Sequence, residues 1–155
     1  MTLAVEIQKI AEGYPESRSA ILPALRLAQE EHGGWLPPEA VREVADALDL
    51  APAQVEAVAS FYDMLHLAPV GRHMVEVCTN LSCALVGAQQ VLEAFERELG
   101  VRPGETSEDG RFTLRAIECA GGCGRAVVVV VDERYHEPVR PEDVPGIVEE
   151  LKRGD

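Results

Sequence analysis

Two stretches decide the fold of this chain: VEVCTNLSC at residues 75–83 and IECAGGCG at residues 117–124. They contain all four cysteines, with Cys78 and Cys83 in a C-x4-C pair and Cys119 and Cys123 in a C-x3-C pair. Each pair follows a short run rich in β-branched residues, so each is expected where a strand ends and a loop begins. Two such loops can converge, so that their four thiolates bind one group that lies between them.

The composition excludes several classes of function. With 155 residues and 46% apolar residues, the chain is long enough for one cored domain plus a helical part. A net charge of −13 argues against nucleic-acid binding, which needs clustered lysine and arginine. No apolar run is long enough for a membrane span, and the N-terminus lacks the pattern of a secretory signal. We therefore expect a cytoplasmic protein with no membrane insertion, in which paired cysteines favour metal or redox chemistry over stable disulfides.

Residues 1–68 are predicted to be helical. Apolar residues recur at helical spacing in four segments: near residues 3–10, at 19–32, around 41–48 and from Pro52 onward. Glycine and proline separate these segments. Four short amphipathic helices with brief connections predict a four-helix bundle, with Trp35, Phe61 and Tyr62 in its core.

Residues 69–155 are predicted to form a second, α/β domain. Strands are expected at 75–78, 112–118 and 127–131, with a further short strand near Tyr135. Helices are expected at 84–99 and from about Pro141 to the end. The fold class is therefore α/β, with a helical bundle at 1–68 followed by a sheet-containing domain at 69–155.

Four thiols in two pairs admit several interpretations. Zinc binds four thiolates, and the x4 and x3 spacings are tolerable for it. A dithiol redox site favours C-x-x-C, which neither pair has. Two local disulfides are disfavoured because stable disulfides are rare in the cytoplasm, where we expect this chain. Four unlinked buried cysteines are the plainest alternative, although their pairing argues against it.

An iron–sulfur cluster also fits the pattern. Four cysteines suit a [2Fe–2S] or a [4Fe–4S] cluster. A helix beginning at Ala84, directly after Cys83, would direct the positive end of its dipole at an anionic cluster. Gly121, Gly122 and Gly124 would let the backbone direct N–H groups towards sulfur, and Thr79, Asn80 and Ser82 offer further donors.

The sequence gives weaker signals for any other functional site. The four histidines, His32, His66, His73 and His136, are scattered without a second ligand at useful spacing. The glycines around Cys123 lack a nucleotide-binding pattern, and no catalytic grouping is legible. We therefore expect neither a catalytic residue nor a substrate site in this chain.

The motifs CTNLSC at 78–83 and IECAGGCG at 117–124 resemble those of the thioredoxin-like [2Fe–2S] ferredoxin family. Within it, the chain is most similar to the E-type (24-kilodalton) subunits of NADH:quinone oxidoreductase and the gamma subunits of NAD-linked formate dehydrogenases and hydrogenases. The resemblance extends beyond the cysteines to these segments: YP at 14–15, SAILPAL at 19–25, GWLP at 34–37, VASFY at 58–62 and PVG at 69–71.

The resemblance implies a function and a ligand set. Cys78, Cys83, Cys119 and Cys123 would bind one [2Fe–2S] cluster, with Cys78 and Cys83 on one iron and the other pair on the second. The chain would be an electron-transfer subunit beside a larger subunit that binds FMN and NAD(H), peripheral to the inner face of the membrane through its complex. A structural subunit that binds zinc is the alternative.

Two departures from the family pattern bear on the site. Ala120 stands where leucine is common, which would loosen the apolar cover over the cluster. Soon after the last cysteine, where an Ala-Pro pair is common, this chain has Arg125-Ala126-Val127. Arg125 would raise the cluster's potential if it pointed inward, or touch a partner if it pointed outward.

Overall fold

The computed structural model describes residues 2–154 in two compact units, one ending at Pro69 and the other beginning at Val70. Each unit has its own hydrophobic core. No helix within the described range is long and apolar enough to cross a membrane.

Within residues 2–69 the structure has four α-helices. They are α1 (Leu3–Ala11), α2 (Ile21–Glu31), α3 (Pro38–Leu48) and α4 (Pro52–Phe61). Proline opens both α3 and α4, where its missing N–H costs no hydrogen bond and its fixed φ suits the helix. The apolar stripe of α3 is buried as its spacing predicts, and Ile7, Leu25 and Val55 from the other helices share its core.

The second helix begins later than predicted. Residues Ser17–Ala20 form a 3-10 turn, and α2 starts only at Ile21. Pro23 therefore lies in the first turn of α2, where it is tolerated. The side chain of Gln29, near the end of α2, accepts a hydrogen bond from the His66 N–H (2.7 Å) and donates one to the Met64 carbonyl (3.1 Å). The segment after α4 is thus tied to α2.

The prediction that Trp35, Phe61 and Tyr62 form the core of this unit is wrong. Trp35 is only half-buried, Phe61 is 80% exposed and Tyr62 is 38% exposed. Phe61, the last residue of α4, comes two positions after buried Ala59 and so lies on the opposite face of the helix. The backbone becomes extended at Tyr62, which takes that ring off the buried stripe. They contact each other edge to face, with ring centroids 5.1 Å apart.

Within residues 70–154 a four-stranded mixed sheet forms the second unit. Its strands are β1 (His73–Cys78), β2 (Phe112–Ile117), β3 (Val129–Val131) and β4 (Arg134–His136), in the order β2-β1-β3-β4. β1 is parallel to β2 and antiparallel to β3, and β3 is antiparallel to β4. All four predicted strands are confirmed, and the valine run does form an interior strand.

The single helix predicted at 84–99 is wrong, because the chain forms two helices there. They are α5 (Leu81–Leu85) and α6 (Ala88–Leu99). Gly87 separates them with φ of 106°, in the region that favours glycine. α6 packs on β1 and β2, and the last helix, α7 (Val144–Arg153), packs on α6 after a 3-10 turn at Pro141–Asp143. Val77, Phe95 and Val148 lie in the resulting core.

We expect Gly71→Ala to destabilise the sheet-containing unit. A Cβ at Gly71 would lie 2.7 Å from the carbonyl carbon and 2.8 Å from the nitrogen of Phe112, and backbone at the start of a buried strand cannot move aside cheaply. The expected loss is about 1–3 kcal/mol in the free energy of unfolding.

The matched control is Gly146→Ala in α7, where a Cβ meets nothing within 4 Å. Alanine there should stabilise the helix by about 0.5–1 kcal/mol. Urea unfolding followed by circular dichroism measures both changes. Equal midpoints for the two variants would contradict the packing assigned to Gly71.

Candidate metal centre

The two cysteine loops meet because the strands that precede them are parallel neighbours. Cys78, the last residue of β1, is in register with Ile117, the last residue of β2. The carboxyl ends of both strands therefore lie at one edge of the sheet. Thr79 ties the loops together there, since its N–H and its hydroxyl both donate to the Ile117 carbonyl, at 3.0 and 3.1 Å.

The four cysteine side chains gather at this edge. The Cys78 sulfur is within hydrogen-bonding contact of the sulfurs of Cys83 and Cys119, and Cys123 is close enough to Cys83 to influence its charge. All four are free thiols; Cys78 and Cys83 are buried, and Cys119 and Cys123 are exposed. The structure thus brings together all four residues that the sequence singled out, with one sheltered and one accessible pair.

Backbone donors shift the charge state of Cys78. Burial raises the pKa of the Cys78 thiol, but hydrogen bonds from the Ala120 and Asn80 N–H groups lower it. Contacts with the sulfurs of Cys83 and Cys119 lower it further. The net result is a pKa below the ordinary value for a thiol, which favours the thiolate that a metal binds.

Cys83 is shifted in the opposite direction. Burial raises the pKa of its thiol, and the neighbouring sulfurs of Cys78 and Cys123 raise it further. A hydrogen bond from the Val128 N–H opposes this rise without cancelling it. Negative charges crowded at one buried place repel each other, and a bound cation relieves that repulsion.

The loop of the second pair depends on glycine. Gly121 has φ of 80°, and its N–H donates to the Cys119 sulfur at 3.4 Å. Gly122 allows close packing, because a Cβ there would lie 2.8 Å from the Val128 side chain. A 3-10 turn at Cys123–Arg125 follows. Glycine in this loop thus directs an N–H group at sulfur, as the sequence predicted.

Helix α5 corrects the prediction about the dipole of the helix after Cys83. Cys83 lies within α5 rather than before a helix, and the longer α6 begins only at Ala88. Asn80 caps α5, accepting a hydrogen bond from the Leu81 N–H at 2.8 Å. The predicted donor role of Asn80 is filled by its backbone, and the hydroxyl of Thr79 is directed at Ile117 instead of sulfur.

Arg125 takes the outward of its two predicted positions. Its side chain is exposed and its guanidinium donates to the Glu137 carbonyl at 3.2 Å. Ala120 is half-buried against the core, and it contributes mainly through its backbone, which bonds to Cys78 on one side and to Tyr135 on the other.

Tyr135 was not predicted to belong to the site. Its hydroxyl donates to the Ala120 carbonyl at 2.6 Å. It belongs to the short edge strand β4, and no motif in the sequence connects it to the cysteines.

His73 lies away from the cysteines and has an acidic partner. His73 begins β1, at the opposite end from Cys78, and its Nδ1 lies 2.6 Å from an Asp132 carboxylate oxygen. His32 contacts Glu43 in the helical unit. Among residues 2–154, no group of three or more histidine, cysteine or acidic side chains forms a preformed site for a single metal ion.

Exposed apolar side chains lie close in sequence to the cysteine loops. Leu81 is 69% exposed, Leu85 77% and Val86 60%, all on or next to α5. A shallow groove between α5 and the 3-10 turn is lined by Leu85, Val86, Cys123 and neighbouring residues. The accessible pair of cysteines therefore lies beside apolar surface, as is typical of interaction sites.

The residues present fit a [2Fe–2S] cluster. Such a cluster takes four thiolates in two pairs and is stabilised by N–H groups directed at sulfur. Here two pairs of thiols meet, and N–H groups of four residues donate to them: Asn80, Ala120, Gly121 and Val128.

Comparison with known proteins agrees with this chemistry. Residues 7–152 match the model of the family "Thioredoxin-like [2Fe-2S] ferredoxin". The chain is 40% identical to an E-type NADH-quinone oxidoreductase subunit of Rhizobium meliloti (strain 1021), covering 100% of this chain and 92% of the relative. It is 36% identical to the E-type NADH-quinone oxidoreductase subunit of Salmonella typhimurium, covering 96% of this chain and 88% of the relative.

A solved structure shows the same fold. The crystal structure of an NAD+-reducing [NiFe]-hydrogenase in the air-oxidized state matches with a TM-score of 0.75 at 21% identity. The match covers 86% of this chain and 23% of the hydrogenase chain, so this chain spans about a quarter of that protein. The family resemblance inferred from the cysteine motifs is confirmed, and the chain belongs to the thioredoxin-like [2Fe–2S] ferredoxin family.

Proposed function

We propose that this chain is an electron-transfer subunit of an NAD(H)-linked oxidoreductase complex, carrying one [2Fe–2S] cluster on Cys78, Cys83, Cys119 and Cys123. The observation that carries the proposal is the meeting of two cysteine pairs at the carboxyl ends of two parallel strands, with backbone N–H groups donating to the sulfurs. Relatives at about 40% identity are NADH-quinone oxidoreductase subunits, which supports this function.

Each pair of cysteines is proposed to bind one iron of the [2Fe–2S] cluster. We assign the buried pair, Cys78 and Cys83, to one iron and the exposed pair, Cys119 and Cys123, to the other, as the family resemblance implies. A [2Fe–2S] cluster, when bound, accepts and releases one electron at a time. The buried pair sits in the core of the sheet-containing unit and fixes the site, while the exposed pair offers the short path to a partner.

The partner we propose is a larger subunit that binds FMN and NAD(H). Hydride chemistry belongs to a flavin, and a one-electron carrier must lie close to it. The exposed Leu81, Leu85 and Val86 are suited to bury apolar area against that larger protein. Through such a complex the chain would be peripheral to the inner face of a membrane.

We further propose that residues 1–68 act as a helical bundle that docks on the complex, and residues 69–155 as the cluster domain. The support for a docking role is a second exposed apolar group at the end of α4 and beyond. It consists of Phe61, Tyr62, Met64 and Leu67, each between 38% and 80% exposed.

The first experiment is an anaerobic purification with iron, acid-labile sulfide and zinc counted, followed by visible and electron paramagnetic resonance spectra before and after dithionite. We expect a coloured protein with two irons per chain, as the cluster formula requires, and a paramagnetic signal only after reduction. A colourless protein with one zinc and no signal would contradict the proposal and support a structural zinc subunit.

Cys78→Ser and Cys123→Ser should each lose or destabilise the cluster while the helical unit stays folded, because each removes one thiolate ligand. Iron content and visible absorbance measure the loss, and the fluorescence of Trp35 reports on the helical unit. Ser82→Ala, next to Cys83 in α5, is the control and should keep full iron content. Full cluster content in either cysteine variant would refute the ligand assignment.

Gly122→Ala should weaken cluster retention without removing a ligand. A Cβ at Gly122 would lie 2.7 Å from a Glu137 carboxylate oxygen and 2.8 Å from the buried Val128 side chain, so the loop carrying Cys123 must move. We expect iron loss to a chelator to be about 10–100-fold faster. Gly124→Ala is the matched control, since a Cβ there meets nothing within 4 Å. Identical rates for the two variants would show that close packing at Gly122 is unimportant.

Leu85→Asp should weaken binding to the flavin-containing partner by at least about tenfold, because it places a charge in an apolar contact. Val5→Asp, an exposed apolar position on α1, is the control and should bind as the wild type does. Titration of the cluster-loaded protein against the isolated partner measures both affinities. Unchanged affinity for Leu85→Asp would place the interface elsewhere.

A further inference from the structure

Tyr135 and Cys119 are connected through one peptide group. The Tyr135 hydroxyl donates to the Ala120 carbonyl at 2.6 Å, and the Gly121 N–H donates to the Cys119 sulfur at 3.4 Å. The carbonyl of Ala120 and the N–H of Gly121 belong to the same peptide bond. The Tyr135 hydroxyl therefore binds the carbonyl of a peptide group whose N–H donates to the Cys119 sulfur.

We propose that Tyr135 is a positioning residue that orients and polarises the 120–121 peptide towards the Cys119 sulfur, and so raises the reduction potential of the cluster. The inference rests on the proposed function, because it requires a cluster on Cys119. It adds a residue that acts through the backbone of the loop, at the Ala120 carbonyl.

Steric packing does not fix this peptide at Gly121. Gly121 is exposed and a Cβ there would meet nothing within 4 Å, and Gly122 follows it. Glycine has the largest conformational freedom of any residue, so a peptide next to two glycines reorients easily. The hydrogen bond from Tyr135 therefore adds a restraint from outside the loop to the one that the Gly121 N–H makes with the Cys119 sulfur.

Tyr135 is suited to supply that restraint. It is paired with Val130 in the antiparallel ladder between β4 and β3, and β3 is an interior strand. The hydroxyl thus projects from ordered backbone onto the 120–121 peptide. A hydrogen bond to a carbonyl also polarises the peptide and strengthens the hydrogen bond that its N–H donates.

The direction of the effect on the potential follows from charge. Reduction adds an electron and so increases the negative charge on the cluster and its sulfur ligands. A hydrogen bond donated to sulfur stabilises the more negative state more than the less negative one. Keeping the Gly121 N–H aimed at Cys119 therefore raises the potential, and releasing it lowers the potential.

The test is Tyr135→Phe in the full, cluster-loaded chain, with Tyr14→Phe as the control. Both variants remove only a hydroxyl from an exposed tyrosine, and Tyr14 lies in the helical unit. An anaerobic titration with dithionite, followed by electron paramagnetic resonance, gives the midpoint potential, which requires no partner and no turnover. We expect Tyr135→Phe to change the reduction equilibrium constant about two- to tenfold, which lowers the midpoint potential by about 20–60 mV for a one-electron couple, and Tyr14→Phe to leave it unchanged.

Three results would count against these proposals. An unchanged or raised potential in Tyr135→Phe, with iron content equal to wild type, would overturn the positioning role. Failure of Tyr135→Phe to hold a cluster after reconstitution with iron and sulfide would also overturn it, since all four ligands remain. Absence of iron from the wild-type chain would instead refute the proposed function, so the two failures are distinguishable.

Discussion

The parallel pairing of β1 with β2 is the constraint on which the rest of the site depends. Its register sets Cys78 opposite Ile117, so the loops after both strands leave the sheet at one edge. An antiparallel pairing of the same strands would place the two cysteine pairs at opposite ends of the sheet. The long crossover that a parallel pair requires is supplied by α5 and α6, and α5 carries Cys83 back to the edge where Cys78 lies.

Backbone N–H groups stabilise negative charge on the cysteine sulfurs. The chain has a net charge of −13, and the largest influences on the pKa of Cys78 and Cys83 are burial, backbone N–H groups and the neighbouring sulfurs. Arg125, the basic residue closest in sequence to the ligands, is exposed and bonded to the Glu137 carbonyl. Fixed dipoles stabilise charge without the desolvation cost of a buried side-chain cation.

The sequence predicts which elements form, but it misses where two of the helices break or end. The four strands and the gathering of the cysteines followed from β-branched runs and paired spacing. The break between α5 and α6 was missed because the apolar stripe of α6 continues the helical period of α5 through Gly87. Tyr62 was wrongly predicted to be buried because it continues the helical spacing of Val55, Val58 and Ala59, although the helix ends one residue before it.

The use of backbone groups around the second cysteine pair explains why Tyr135 could not be found from the sequence. The family pattern drew attention to Ala120 as a lost apolar side chain, but the structure uses this residue through its N–H and its carbonyl, which every residue type has except for proline's missing N–H. A loop of glycines is chosen for the backbone positions it allows, so side chains on other elements must supply its restraint. The residue that does so lies on the edge strand β4, and only the register of β4 on β3 identifies it. The cysteines are thus recognisable from local motifs, whereas the side chain that bonds to the backbone between Cys119 and Cys123 comes from an edge strand with no such motif.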